Sequence, residues 1–145
     1  VVVDGDVLGK PDDGEAATAM LRRLRNRTHV VVTGLTAMDS ATGAWRSSAK
    51  CTQVTMRRYS DDEIQRYVSA GEPLDKAGGY AVQDPGFRPA RMVDGCYLNV
   101  VGLPLCEAVS LQQQMGEAAS LRPQWAPPSE CRDCLLAQRG EAPKP

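Results

Sequence analysis

The sequence predicts an α/β fold, a mixed sheet with flanking helices, and three observations carry that reading. Runs of β-branched residues at positions 1–3 and 30–35 have the composition of strands, and positions 44–56 read as a further strand. Positions 15–24 and 61–70 instead repeat apolar side chains at helical spacing. The 145 residues suffice for one domain with its own core, and a single Phe with 5% aromatic residues makes that core aliphatic in expectation.

Each element has a local cause. Asp4-Gly5-Asp6 lies between β-formers and reads as a tight hairpin turn, because an Asp-Gly pair tolerates the positive φ angles of a two-residue loop. Lys10 sits just past it. Residues 11–14, Pro-Asp-Asp-Gly, then introduce a helix over 15–24. Its face is read as Ala16, Ala19, Met20 and Leu24, with Arg22, Arg23 and Arg25 near the end where the helix dipole favours positive charge. The strands at 30–35 and 44–56 are joined across a polar turn at 39–43. His29 takes one sheet face and reads as structural, since no Ser or Cys motif accompanies it to make it a base. Ser60-Asp61-Asp62-Glu63 is a capping box that opens a helix over 61–70, with Ile64, Tyr67 and Val68 on one side. Gly71 can adopt the left-handed conformation that ends this helix, and Pro73 prevents it from resuming. A last helix is expected over 105–115. Residues 116–145 are Pro-rich and polar, without periodicity, and read as a tail.

Composition excludes several functions. A net charge of −1 argues against nonspecific binding to nucleic acid and against a polybasic membrane anchor. Few aromatic residues leave few stacking platforms for single strands. No apolar run approaches the roughly 20 residues that span a bilayer, and nothing at the start has the basic and apolar regions of a signal peptide. A cytoplasmic protein without nucleic-acid or membrane partners is the expectation.

Candidate chemistry concentrates at residues 71–83, which hold a helix stop, the charged pair Asp75 and Lys76, the adjacent glycines Gly78 and Gly79, and Gln83, an amide expected to be buried. Without a Cβ, a glycine lets the backbone approach a ligand or another element closely. Asp75 and Lys76 admit two roles, holding metal and phosphate or forming an ion pair that fixes the loop. The amide of Gln83 presents donors and an acceptor together, which complements the imide edge of uracil or thymine. Cys51 lies in a strand and reads as a small core residue. Cys131 and Cys134 form a Cys-x-x-Cys pair, half of a zinc site that Cys96 and Cys106 can complete in principle, though not at a standard finger spacing; free thiols are the other reading.

Four segments in order, VVVDGDVLGKP at 1–11, THVVVTG at 28–34, GEPLDKAGGYAVQ at 71–83 and GCYLNVVGLPL at 95–105, resemble the Maf (septum formation) family of nucleoside triphosphate pyrophosphatases. The resemblance covers nearly all of residues 1–111. It implies a Maf/ITPase-like mixed α/β fold and an enzyme that cleaves a nucleoside triphosphate to the monophosphate and pyrophosphate. It also implies a divalent metal, Mg2+ or Mn2+, whose ligands are unassigned. Family members begin with a Ser-x-Arg-Arg phosphate-binding segment and carry an Ala-Asp-Thr segment whose aspartate looks like the general base. Neither occurs here, and the family pattern puts that aspartate upstream of Val1. The chain therefore reads as N-terminally truncated, with residues 1–115 as the C-terminal portion of a Maf-like domain and no catalytic residue assigned within it.

By the same resemblance, Lys10 matches the family's Gly-Lys-Pro or Glu-Lys-Pro segment and is expected to contact phosphate. Asp75, Lys76 and Gln83 complete the implied substrate site. Gln83 looks like the mark of the branch that prefers dTTP and UTP, although Asp84-Pro85 stands where a glycine often follows. The implied substrates are dTTP, UTP and modified pyrimidine nucleotides, and a homodimer is compatible with the family. The alternative is a catalytically inactive nucleotide-binding or interaction fragment that lacks the general base.

Overall fold

Five strands form one sheet in the order β2-β1-β3-β4-β5. The computed structural model describes residues 1–116. The strands are β1 (Val2–Val3), β2 (Asp6–Val7), β3 (Thr28–Met38), β4 (Trp45–Met56) and β5 (Ala90–Asp94), with helices α1 (Gly14–Leu24), α2 (Asp61–Ser69), α3 (Tyr97–Val101) and α4 (Leu105–Gln114). This is the expected α/β class with flanking helices. The described pairings of β1 with β2 and β3, and of β4 with β5, are antiparallel. The described residues divide into two compact units: Val1–Val32 with Thr52–Asp94, and Thr33–Cys51 with residues 95–116.

In the first unit the hairpin turn forms as expected, with Asp4 at φ 52° and Gly5 at φ 84°, the two positive angles of a type I′ turn. It pairs Val2 with Val7 and Val3 with Asp6. Helix α1 starts where Asp13 accepts a hydrogen bond from the Ala16 amide at 2.8 Å. Its buried residues are Ala17, Thr18, Leu21 and Leu24, so the helix is rotated about one position from the face expected, and Ala19 is exposed. Both faces satisfy helical spacing; Leu21 and Leu24 are fully buried, while Met20 is half-buried. The capping box of α2 is complete. The Glu63 amide donates to the Ser60 hydroxyl at 3.2 Å, and the Ser60 amide donates to the Glu63 carboxylate at 2.7 Å. Gly71 ends the helix at φ 79°.

The core of this unit is not purely aliphatic. Tyr59, Tyr67, Tyr80 and Phe87 are buried beside Val3, Leu21, Leu24, Val54, Met56 and Ile64. Tyr67 and Phe87 stack with centroids 4.4 Å apart, and Tyr59 lies 4.9 Å from the same ring. A low aromatic count sets how many rings exist, not whether they gather in one place. Strand β5 carries no strong β-former pattern and was not expected; β4 recruits it by pairing, with a register irregularity at Thr55/Met56.

In the second unit the turn after β3 is organised by Asp39. Its carboxylate accepts from the Ala41 amide and the Thr42 hydroxyl, and Gly43 takes φ 74°. The short α3 buries Asn99, whose side-chain amide donates to the Lys50 carbonyl at 3.2 Å. Helix α4 agrees with the expected span; the Ser48 hydroxyl donates to its Glu107. Cys51 is exposed rather than in the core. The twofold alternation of β4 turns Thr52 and Val54 inward, which puts Cys51 and Gln53 on the outer face. No helix among the described residues is long and apolar enough to cross a membrane.

Candidate functional site

The candidate residues Lys10, Asp75, Lys76 and Gln83 all belong to the first unit. Two segments distant in sequence are joined by one backbone bond, in which the Gly78 amide donates to the Gly9 carbonyl at 2.9 Å. That bond sets the loop carrying Lys10 against the 3₁₀ turn Ala77–Gly79. Gly78 and Gly79 have φ angles of 74° and 70°, a conformation that disfavours any side chain.

What the two glycines admit is protein. A Cβ on Gly78 would stand 3.1 Å from Cγ2 of Val1, and one on Gly79 would stand 3.7 Å from the Cα of Ala17 in α1. Both are buried. Their close approach therefore serves the packing of this turn onto α1 and β1, not the lining of an open cleft.

Lys10 is exposed. Asp75 and Lys76 form an ion pair at 2.5 Å, and the Lys76 ammonium also donates to the Glu72 carbonyl at 2.7 Å. The bond from Lys76 is the main reason that the Asp75 carboxyl is held below its ordinary range, and the charge of Lys10 adds to the effect. Lys10, Asp75 and Lys76 thus share one electrostatic neighbourhood. The loop-fixing contact of the Asp75 and Lys76 pair is present, and it ties Lys76 back onto its own segment.

Gln83 is exposed, against the expectation that it is buried. The two apolar residues before it suggested burial, but only Ala81 goes inward. The chain turns away at Asp84, whose carboxylate accepts from the amides of Gly86 at 2.9 Å and Phe87 at 2.6 Å. Asp84-Pro85, the departure from the family pattern, is thus the start of a side-chain-capped turn.

Four residues that sequence reasoning did not place in the site hold its framework. The Tyr67 hydroxyl accepts from the Ala81 amide at 3.1 Å. The Tyr80 hydroxyl meets Nε2 of His29 at 2.7 Å. Arg57 donates to the carbonyls of Phe87 and Arg88 and to the Glu63 carboxylate. Burial lowers the His29 imidazole to about 4, so it is neutral near pH 7. Arg57, directly after β4, carries no sequence signal of this role. Tyr67 was legible as a core residue, but its hydroxyl partner was not.

Among the described residues no group of three or more His, Cys, Asp or Glu is placed to hold a metal ion. These residues do not by themselves fit a resident metal. Cys51 is a free thiol. Cys106 is disulfide-bonded, so neither the zinc-ligand nor the free-thiol reading holds for it. Cys131 and Cys134, and with them the proposed zinc site, lie outside the described residues.

A family model described as Maf-like protein matches residues 1–115. The chain belongs to the Maf-like family. This Maf-like chain is 41% identical over 141 residues to a protein named dTTP/UTP pyrophosphatase from Dehalococcoides mccartyi strain 195, covering 97% of the chain and 63% of that relative. A protein of the same name from Thermomicrobium roseum is 45% identical over 137 residues, covering 94% and 62%. Another, from Dictyoglomus turgidum, is 44% identical over 116 residues, covering 80% and 60%. The Maf-like chain thus spans about 60% of the length of these curated relatives.

Proposed function

We propose that the protein carrying this chain hydrolyses nucleoside triphosphates to the monophosphate and pyrophosphate, with dTTP, UTP and modified pyrimidine nucleotides as substrates. The observation that supports this reading is the bond from the Gly78 amide to the Gly9 carbonyl, which sets the loop of the exposed Lys10 against the turn that follows the exposed Asp75 and the half-buried Lys76. The names of the relatives support the substrate class.

A triphosphate carries about four negative charges near neutral pH, and attack of water adds electron density at phosphorus. An ammonium that gains contact as this charge grows lowers the barrier. Lys10 suits that task because no other protein bond occupies it among the described residues, whereas Lys76 already serves Asp75 and Glu72. The role of Lys76 and Asp75 is to hold the loop, with a remaining donor of Lys76 available to a phosphate oxygen. Gln83 pairs with the pyrimidine imide edge once the nucleotide covers it. Mg2+ or Mn2+ belongs to this reading as a companion of the substrate, since such an ion takes most of its ligands from phosphate oxygens and water. None of these four side chains is the base that activates water.

The test is product analysis with the complete gene product and UTP, dTTP, CTP and GTP. Pyrophosphate released preferentially from UTP and dTTP is expected. Release of orthophosphate alone, or preference for GTP, overturns the assignment, and nucleotide binding without turnover assigns a noncatalytic binding role. Gln83→Glu replaces amide donors with acceptors that face the carbonyls of the base. Its kcat/KM for UTP should fall about tenfold relative to GTP. Unchanged ratios would remove Gln83 from base recognition.

A further inference from the structure

We propose that His29 and Tyr80 are positioning residues for nucleotide recognition: their hydrogen bond holds the 75–83 segment, which carries Lys76 and Gln83, in the conformation in which it meets the Lys10 loop. This rests on the function proposed above, and it concerns residues that touch no substrate. The segment has little structure of its own beyond one 3₁₀ turn, and Asp75 and Gln83 at its two ends are exposed and cannot anchor it. It is tied instead to three separate elements. The Gly78 amide bonds the Gly9 carbonyl, the Tyr80 hydroxyl meets His29 on β3, and the Ala81 amide bonds the Tyr67 hydroxyl on α2.

The His29 tether has three features that suit it to setting direction. Both rings are withdrawn from water, His29 at 2% exposure and Tyr80 at 6%, so water does not compete for the bond. The rings meet edge to face, with centroids 5.4 Å apart at 80°, which fixes the phenol's approach as well as its distance. And Nδ1 of His29 has no hydrogen-bond partner among the described residues, so the contact with Tyr80 is the bond recorded for this side chain. A buried imidazole satisfied on one side stabilises a core less than an apolar side chain of similar volume would. Its distinctive contribution is to orient Tyr80.

Position in the chain makes that orientation consequential. Gly78 and Gly79, immediately before Tyr80, occupy the left-handed region and have no side chains to restrict them. Tyr80 is the first residue after them with a side chain that can lock the backbone, and Gln83 follows three residues later. A phenol held on β3 therefore transmits the position of the sheet to the amide proposed to read the base.

Tyr80→Phe tests this, because it keeps the ring and removes only the hydroxyl. In the complete gene product it should raise KM for UTP roughly three- to tenfold with kcat nearly unchanged, the pattern of lost binding that is not specific to the transition state. The preference for UTP over CTP should fall with it. Amide hydrogen exchange should accelerate within residues 78–83 while that of α1 and β4 is unchanged. His29→Gln retains a group able to bond the phenol and should keep both properties near wild type, whereas His29→Leu should reproduce Tyr80→Phe, and the double variant His29→Leu with Tyr80→Phe should be no worse than either. Wild-type KM, base preference and exchange in Tyr80→Phe would overturn the proposal. So would exchange that accelerates evenly across the first unit, or failure of His29→Gln to do better than His29→Leu. If the unaltered protein releases no pyrophosphate, the function proposed above fails, and localised exchange alone then decides the tether.

Discussion

Lys10 and Lys76 carry the same group in opposite circumstances, and their substitutions should separate accordingly. Lys76 is engaged by Asp75 and the Glu72 carbonyl, whereas Lys10 stands exposed on a loop that a backbone bond holds in place. Lys10→Ala should lower kcat by about a hundredfold or more with Tm nearly unchanged, because a loop lysine buries little while a charge aimed at developing negative charge matters most in the transition state. Steady-state kinetics beside a thermal melt checks this, and an unchanged kcat returns Lys10 to the solvated surface. His29 makes a second prediction. Its imidazole sits at about 4 in the fold against 6.5 when free, so the unfolded chain takes up the proton first as pH falls. Stability should therefore be independent of this residue above about pH 6.5 and decline toward pH 4, by at most about 1.4 kcal/mol per pH unit. The difference between wild-type and His29→Gln melts over this window isolates it from carboxylates, and parallel curves would contradict the depressed imidazole.

Helix α2 shows how one side chain serves two structures. Glu63 closes the capping box with Ser60 and also receives Arg57, and these bonds, the one from Arg57 first, bring its carboxyl down to about 2. Through Arg57 the start of α2 is connected to the carbonyls of Phe87 and Arg88, just after the turn that follows Gln83. Ser60→Ala removes one half of the box and should cost about 1 kcal/mol, read by chemical denaturation; no change in midpoint would mean that Arg57 and Glu63 hold the helix start without it. The 3₁₀ turn supplies a graded pair. Gly78→Ala and Gly79→Ala each place a Cβ at a positive φ, but only at Gly78 does that atom press on a neighbour, at 3.1 Å from Val1. Both should destabilise by about 1 kcal/mol or more, with Gly78→Ala the worse. The reverse order in denaturation midpoints would show that contact with Ala17 matters more than contact with Val1.

Taken over its length, the chain places its nucleotide candidates in the unit built from its first 32 residues and Thr52–Asp94. Local signals along the sequence determined a good deal of this: the type I′ turn at Asp4-Gly5, the capping box at Ser60, the stop at Gly71, the span of α4 and the family to which residues 1–115 belong. Each depends on side chains within a few positions of one another, or on motifs that need only be read in order, so distant residues cannot alter them. Tertiary structure alone decided the rest. It chose the Leu21 face of α1, turned Cys51 and Gln83 outward, filled the space beside Gly78 and Gly79 with Val1 and Ala17, and gathered three tyrosines with the single Phe into the core. It also paired His29 with Tyr80, 51 residues apart. Burial and hydrogen bonding of this kind are set by which surfaces meet, and short-range periodicity carries no record of a partner that lies elsewhere in the chain.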